Sequence, residues 1–134
     1  MAERLLVIDA DGELRNAYQS HFSRSGFDVH CAATIADAAS LLEVEPFDAV
    51  IADVRDLPAD GRDEPVIGRA LHRRAPRVVV LTAYGEPAWA KTAARLGVDA
   101  FLHKPVSLVW LEGLLRARIE QARSRNDGGV AATG

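Results

Sequence analysis

Short apolar runs at residues 5–9, 27–32, 48–53, 77–82 and 100–102 recur along the chain, and a stretch with helical spacing follows each of them. That alternation is the feature that most restricts the fold. Strands separated by helical crossovers build a parallel sheet with helices on both faces. The first, third and fourth runs are near-continuous Val, Ile, Leu and Ala rather than alternating, as expected of strands covered on both sides. The expected class is therefore α/β, a doubly wound five-stranded parallel sheet.

The intervening segments carry helix signals. Leu14, Ala17, Tyr18 and Phe22 fall on one stripe, and Gly26 is placed to end that helix. Thr34 with Asp37 three residues on reads as an N-cap, with Ile35, Ala38, Ala39 and Leu42 as the buried face. Pro65 suits a first helical turn before Ile67, Ala70 and Leu71, and Pro76 closes that helix. Pro87 opens an Ala-rich fourth helix ending at Gly97. Ser107 caps a fifth, in which Leu108, Leu111, Leu115 and Ile119 repeat at helical spacing.

The chain of 134 residues is long enough for one domain with its own core. The unit spans residues 1–123. Residues 124–134 are small and polar without period and read as a disordered tail or the start of a linker. A net charge of -3 gives no basic excess for binding nucleic acid, so a protein partner is expected. The apolar run at 5–8 is too short for a signal peptide or a membrane span, and a lone Cys31 forms no internal disulfide. A cytoplasmic location is the default.

Ligands of open parallel sheets gather where the strands end at their carboxyl edge. Asp9 and Asp11 follow the first strand, Asp53 ends the third, Thr82 ends the fourth and Lys104 follows the fifth. Phosphoryl transfer to a carboxylate suits that set, because nucleophile and entering group are both anionic and need positive charge beside them. Asp53 would be the nucleophile, Thr82 a hydroxyl donor and Lys104 a point charge, with a carboxylate-held divalent cation supplying the rest. His21, His30, His72 and His103 show no metal-ligand spacing.

Four pieces, Leu5-Leu6-Val7-Ile8-Asp9, Phe47-Asp48-Ala49-Val50-Ile51-Ala52-Asp53, Val78-Val79-Val80-Leu81-Thr82-Ala83 and Gly97-Val98-Asp99-Ala100-Phe101-Leu102-His103-Lys104-Pro105, stand in order. With them the chain resembles the response-regulator receiver family over about residues 3–122. The resemblance implies the flavodoxin-like strand order 2-1-3-4-5 and phosphorylation of Asp53 by a sensor histidine kinase. It also implies Mg²⁺ held by Asp9, Asp53 and the backbone carbonyl of Arg55, a switch at Thr82 and Phe101, and a cis peptide before Pro105. The output would be a change of shape read by a downstream effector or a homodimer through the fourth helix, fifth strand and fifth helix. Trp89, Lys91, Arg95 and Trp110 are candidates on that face. Such a chain is a signalling domain that catalyses only its own phosphorylation and dephosphorylation.

Two departures stand out. Ala10 occupies the position where the family usually has a second acid, which weakens Mg²⁺ unless Asp11 reaches in. In the loop Val54-Arg55-Asp56-Leu57-Pro58-Ala59-Asp60-Gly61 the proline falls one place late. The alternative is a pseudo-receiver, a protein-interaction module that works without phosphorylation. A flavodoxin-like cofactor binder lacks its Gly-rich phosphate loop here.

Overall fold

A computed structural model of the chain describes residues 2–53, 76–83, 94 and 97–133. Most of the helices read from Pro65 and Pro87, and the loop after Asp53, lie outside the described residues. Arg55, Asp56, Trp89, Lys91 and Arg95 lie outside with them.

The strands are β1 (Arg4–Ile8), β2 (Asp28–Ala32), β3 (Ala49–Asp53), β4 (Val78–Ala83) and β5 (Ala100–His103). All pair in parallel in the order β2-β1-β3-β4-β5, the doubly wound arrangement expected. The described helices are α1 (Gly12–Arg24), α2 (Ile35–Val44) and α3 (Leu108–Thr133), the last being the fifth helix of the sequence reading.

Because side chains alternate across a strand, each apolar run feeds two cores. Leu6, Ile8, Val50, Ala52 and Val79 meet Ile35, Ala38 and Leu42 of α2 on one face. Leu5, Val7, Ala49, Ile51, Val78 and Val80 meet Tyr18 and Phe22 of α1 and Leu111, Leu115 and Ile119 of α3 on the other. Covering both faces is what makes continuous apolar strands stable here, at about 1.5–3 kcal/mol for each large side chain fully buried.

The helix ends follow their signals. Asp11 caps α1 by accepting from the amides of Glu13 and Leu14 at 2.9 and 3.3 Å. At the other end Gly26 takes a φ of 99°, which lets the Phe27 amide reach back to the Phe22 carbonyl at 3.0 Å. Thr34 accepts from the Asp37 amide, and Ser107 accepts from that of Trp110.

Polar contacts join α1 to α3. Glu112 accepts from the Ser25 hydroxyl at 2.5 Å and pairs with His21 at 2.9 Å and Arg116 at 3.4 Å. The Ser25 hydrogen bond, chiefly, holds the Glu112 carboxyl below its usual range, with Arg116 and His21 adding to it.

The backbone departs from expectation after Arg123. Instead of an aperiodic tail, α3 continues to Thr133. An apolar period reports which residues are buried, and the last buried residue among the described side chains of α3 is Ile119. No proline interrupts the run, although Asn126, Asp127, Gly128 and Gly129 are weak helix formers.

Candidate functional site

At the carboxyl edge of the sheet the three central strands each present a polar side chain. Asp9 follows β1, Asp53 ends β3, and Thr82 on β4 stands in register with Asp53. Each is only 1% exposed. Buried polar groups persist only when paired, and a partner shared by the two acids is Lys104, just past β5. Its Nζ lies 2.6 Å from Oδ2 of Asp53 and 3.4 Å from Oδ2 of Asp9, so one ammonium bridges both carboxylates. In this poorly hydrated setting opposite charges attract far more strongly than at an open surface. The Lys104-Pro105 peptide is cis, as the family resemblance implies.

The Asp9 carboxylate is held by its surroundings. Its amide donates to the Ala32 carbonyl at 3.1 Å, and its Oδ1 accepts from the Asp11 amide at 2.9 Å. The Thr82 hydroxyl donates to the Ala52 carbonyl at 3.5 Å, the outer limit of a hydrogen bond, so little holds it there.

The remaining candidates sit elsewhere. Asp11 is exposed and its carboxylate is engaged as the α1 cap. Ala10 is exposed beside it and brings no side-chain oxygen. Phe101 is half-buried, in register with Leu81 rather than Thr82, and packs with the α2-side core. Its ring meets that of His103 edge-on at 5.4 Å. Trp110 is exposed near the start of α3. Arg55 falls in the undescribed loop.

Among the described residues no three acids, histidines or cysteines form a ready cation cage. The donor set is two carboxylates, which suits a hard divalent ion that keeps several of its waters, as Mg²⁺ does. A buried carboxylate, an ammonium and a hydroxyl thus share one rim, an inventory that suits phosphoryl transfer.

One residue at this rim escapes the sequence reading. Arg15, on the first turn of α1, donates from Nη1 to the main-chain oxygen of Asp9 at 2.7 Å. An arginine on an amphipathic helix reads as part of the solvated face. Its place four residues after the capping Asp11 is the signal that could have marked it.

The model of the family described as the response regulator receiver domain matches residues 5–116. Response regulator protein PilR of Pseudomonas aeruginosa is 32% identical over 125 residues, 92% of this chain and 27% of the relative. Regulatory protein AtoC of Escherichia coli is 32% identical over 106 residues, 78% of this chain and 23% of the relative. The chain thus spans about a quarter of the length of these two curated relatives. A receiver domain protein (CheY-like) from Methanospirillum hungatei JF-1 has the same fold, with a TM-score of 0.83 at 20% identity, covering 93% of this chain and 99% of that one. A response regulator protein from Burkholderia pseudomallei, solved with a phosphorylated aspartic acid, a calcium ion and citrate, matches with a TM-score of 0.74 at 19% identity. That match covers 92% of this chain and 72% of the other.

Proposed function

The chain belongs to the response regulator receiver domain family, and from that premise we propose that it accepts a phosphoryl group on Asp53 from a sensor histidine kinase and signals by changing shape. The observation that carries this reading is the 2.6 Å contact between Lys104 and a buried Asp53 that lies in register with Thr82. A fold neighbour that holds a phosphorylated aspartate and a calcium ion supports it by analogy.

A carboxylate oxygen of Asp53 forms the new P–O bond as the donor's P–N bond to histidine breaks, the imidazole leaving with the electron pair. Lys104 passes from the Asp53 carboxylate to an oxygen of the arriving group, and the Thr82 hydroxyl turns from Ala52 to another. A Mg²⁺ ion held by Asp9, Asp53 and the Arg55 carbonyl would neutralise phosphoryl charge. Movement of Thr82 then lets Phe101 repack, which alters the face around β5 and the start of α3 for an effector or a second copy. Phe lacks the hydroxyl with which Tyr favours an outward rotamer, so the inward state is already populated without phosphate.

The receiver unit ends near residue 123, and the exchange takes place in the cytoplasm, where an unpaired Cys31 is ordinary. No described helix is long and apolar enough to cross a membrane.

The test is intact-mass measurement after incubation with a small phosphodonor, with and without Mg²⁺. Gain of one phosphoryl group that depends on Mg²⁺ supports the reading. No gain under any condition favours the pseudo-receiver, to which Ala10 gives some support.

A further inference from the structure

Arg15 is the charged group at the rim that this phosphotransfer scheme leaves unused. Its guanidinium does not extend into solvent. While Nη1 holds the Asp9 carbonyl, Nη2 lies 3.4 Å from where a β-carbon on Gly12 would stand, so the group lies over the turn that contains Ala10. A larger residue at position 12 would crowd it. The charge reaches across the turn to β2, where it opposes the burial that pushes the Cys31 thiol up.

We propose, resting on the reading of this site as a Mg²⁺-assisted phosphoacceptor, that Arg15 sets its cation affinity. With Lys104 it sets two positive charges beside the Asp9–Asp53 pair where Ala10 withholds a carboxylate, so a divalent ion is held weakly. Asp9 and Asp53 contribute two negative charges, and Lys104 and Arg15 two positive ones. Asp11 and Glu13 add acid nearby, but both are exposed at the start of α1, where solvent and the helix N-terminus offset them. Among the described residues, an incoming divalent ion therefore meets a carboxylate pair whose charge Lys104 and Arg15 offset.

The effect of Arg15 is one of charge rather than of placement. Asp9 is independently anchored by the Ala32 carbonyl and the Asp11 amide, so losing the Arg15 hydrogen bond leaves its carboxylate aimed at Lys104. A half-buried charge that hydrogen-bonds the main chain of Asp9 is screened less than one on the open surface.

The experiment is calorimetric titration of the folded chain with MgCl₂, comparing wild type with Arg15→Gln, Arg15→Lys and Ala10→Asp. Gln keeps a donor and drops the charge, whereas Lys keeps the charge. Arg15→Gln is expected to tighten Mg²⁺ by about three- to tenfold, with Arg15→Lys within about twofold of wild type. Ala10→Asp tightens it as well. An Arg15→Gln affinity equal to or weaker than wild type, with Ala10→Asp tighter, overturns the role of Arg15 alone. Absence of Mg²⁺ binding in every protein, Ala10→Asp included, overturns the site reading and this inference together.

Discussion

The ammonium of Lys104 lies 2.6 Å from one Asp53 carboxylate oxygen and 3.4 Å from one of Asp9, so a single cation from the end of β5 joins the ends of β1 and β3. The three side chains are between 1% and 5% exposed, which makes the bridge a buried one. Buried charge is tolerated only in pairs, and the acids therefore depend on Lys104 unless another cation takes its place.

Lys104→Met should lower stability at neutral pH by about 3 kcal/mol, because two carboxylates lose their shared partner. Mg²⁺ should restore more stability to this variant than to wild type, since it can take the ammonium's place. Urea unfolding with and without MgCl₂ measures both. A variant as stable as wild type without the metal would show that solvent already satisfies the acids.

The long Thr82 hydrogen bond predicts that Thr82→Ala changes stability by about 1 kcal/mol or less while abolishing the shape change on phosphorylation. Phe101→Tyr should respond more strongly than wild type, because the added hydroxyl favours the outward rotamer before phosphate arrives. Sedimentation and effector binding, each with and without phosphodonor, provide the readout. The same response in all three proteins would remove Thr82 and Phe101 from the switch.

Glu112 links stability to acid pH. Its carboxyl is lowered from an ordinary 4.5, first by the Ser25 hydroxyl, so it binds protons less readily when folded than when unfolded. Its stabilisation is complete above about 4.5 and lost as pH falls through the lower folded value. The stability gap between wild type and Glu112→Gln should therefore be constant at neutral pH and close below about 4.5. A gap that widens in acid would contradict the assignment.

Much of this was legible because strand position and chemistry coincide. Asp9, Asp53, Thr82 and Lys104 each stand at or just past a strand's carboxyl end, so placing the strands to within a residue placed the site too. Asp11 was left between cap and cation ligand, since both uses begin with an Asp before a helix; the fold uses its side chain as the cap. Arg15 was missed because its partner is a main-chain oxygen, and the one hint in residue types, its place four after Asp11, points to the helix cap rather than to Asp9. The helical backbone after Arg123 was missed because the residues there show no apolar period.

The structural unit should nonetheless end there. Ile119 is the last buried residue among the described side chains of α3, and Arg123, paired with Glu3 at 3.1 Å, ties the helix to the start of the sheet. A chain ending at Arg123 should match the full chain in unfolding free energy within about 0.5 kcal/mol. A larger loss would mean that the following turns support the core.

The central claim, that Asp53 is the phosphoacceptor, is tested most directly by finding the modified residue. The chain is treated with a small phosphodonor and Mg²⁺, the acyl phosphate is reduced with borohydride, and the peptides are sequenced by mass spectrometry. Asp53 should be converted to homoserine in wild type, and Asp53→Asn should show no converted residue. Conversion elsewhere in wild type, or equal labelling of Asp53→Asn, would contradict the account.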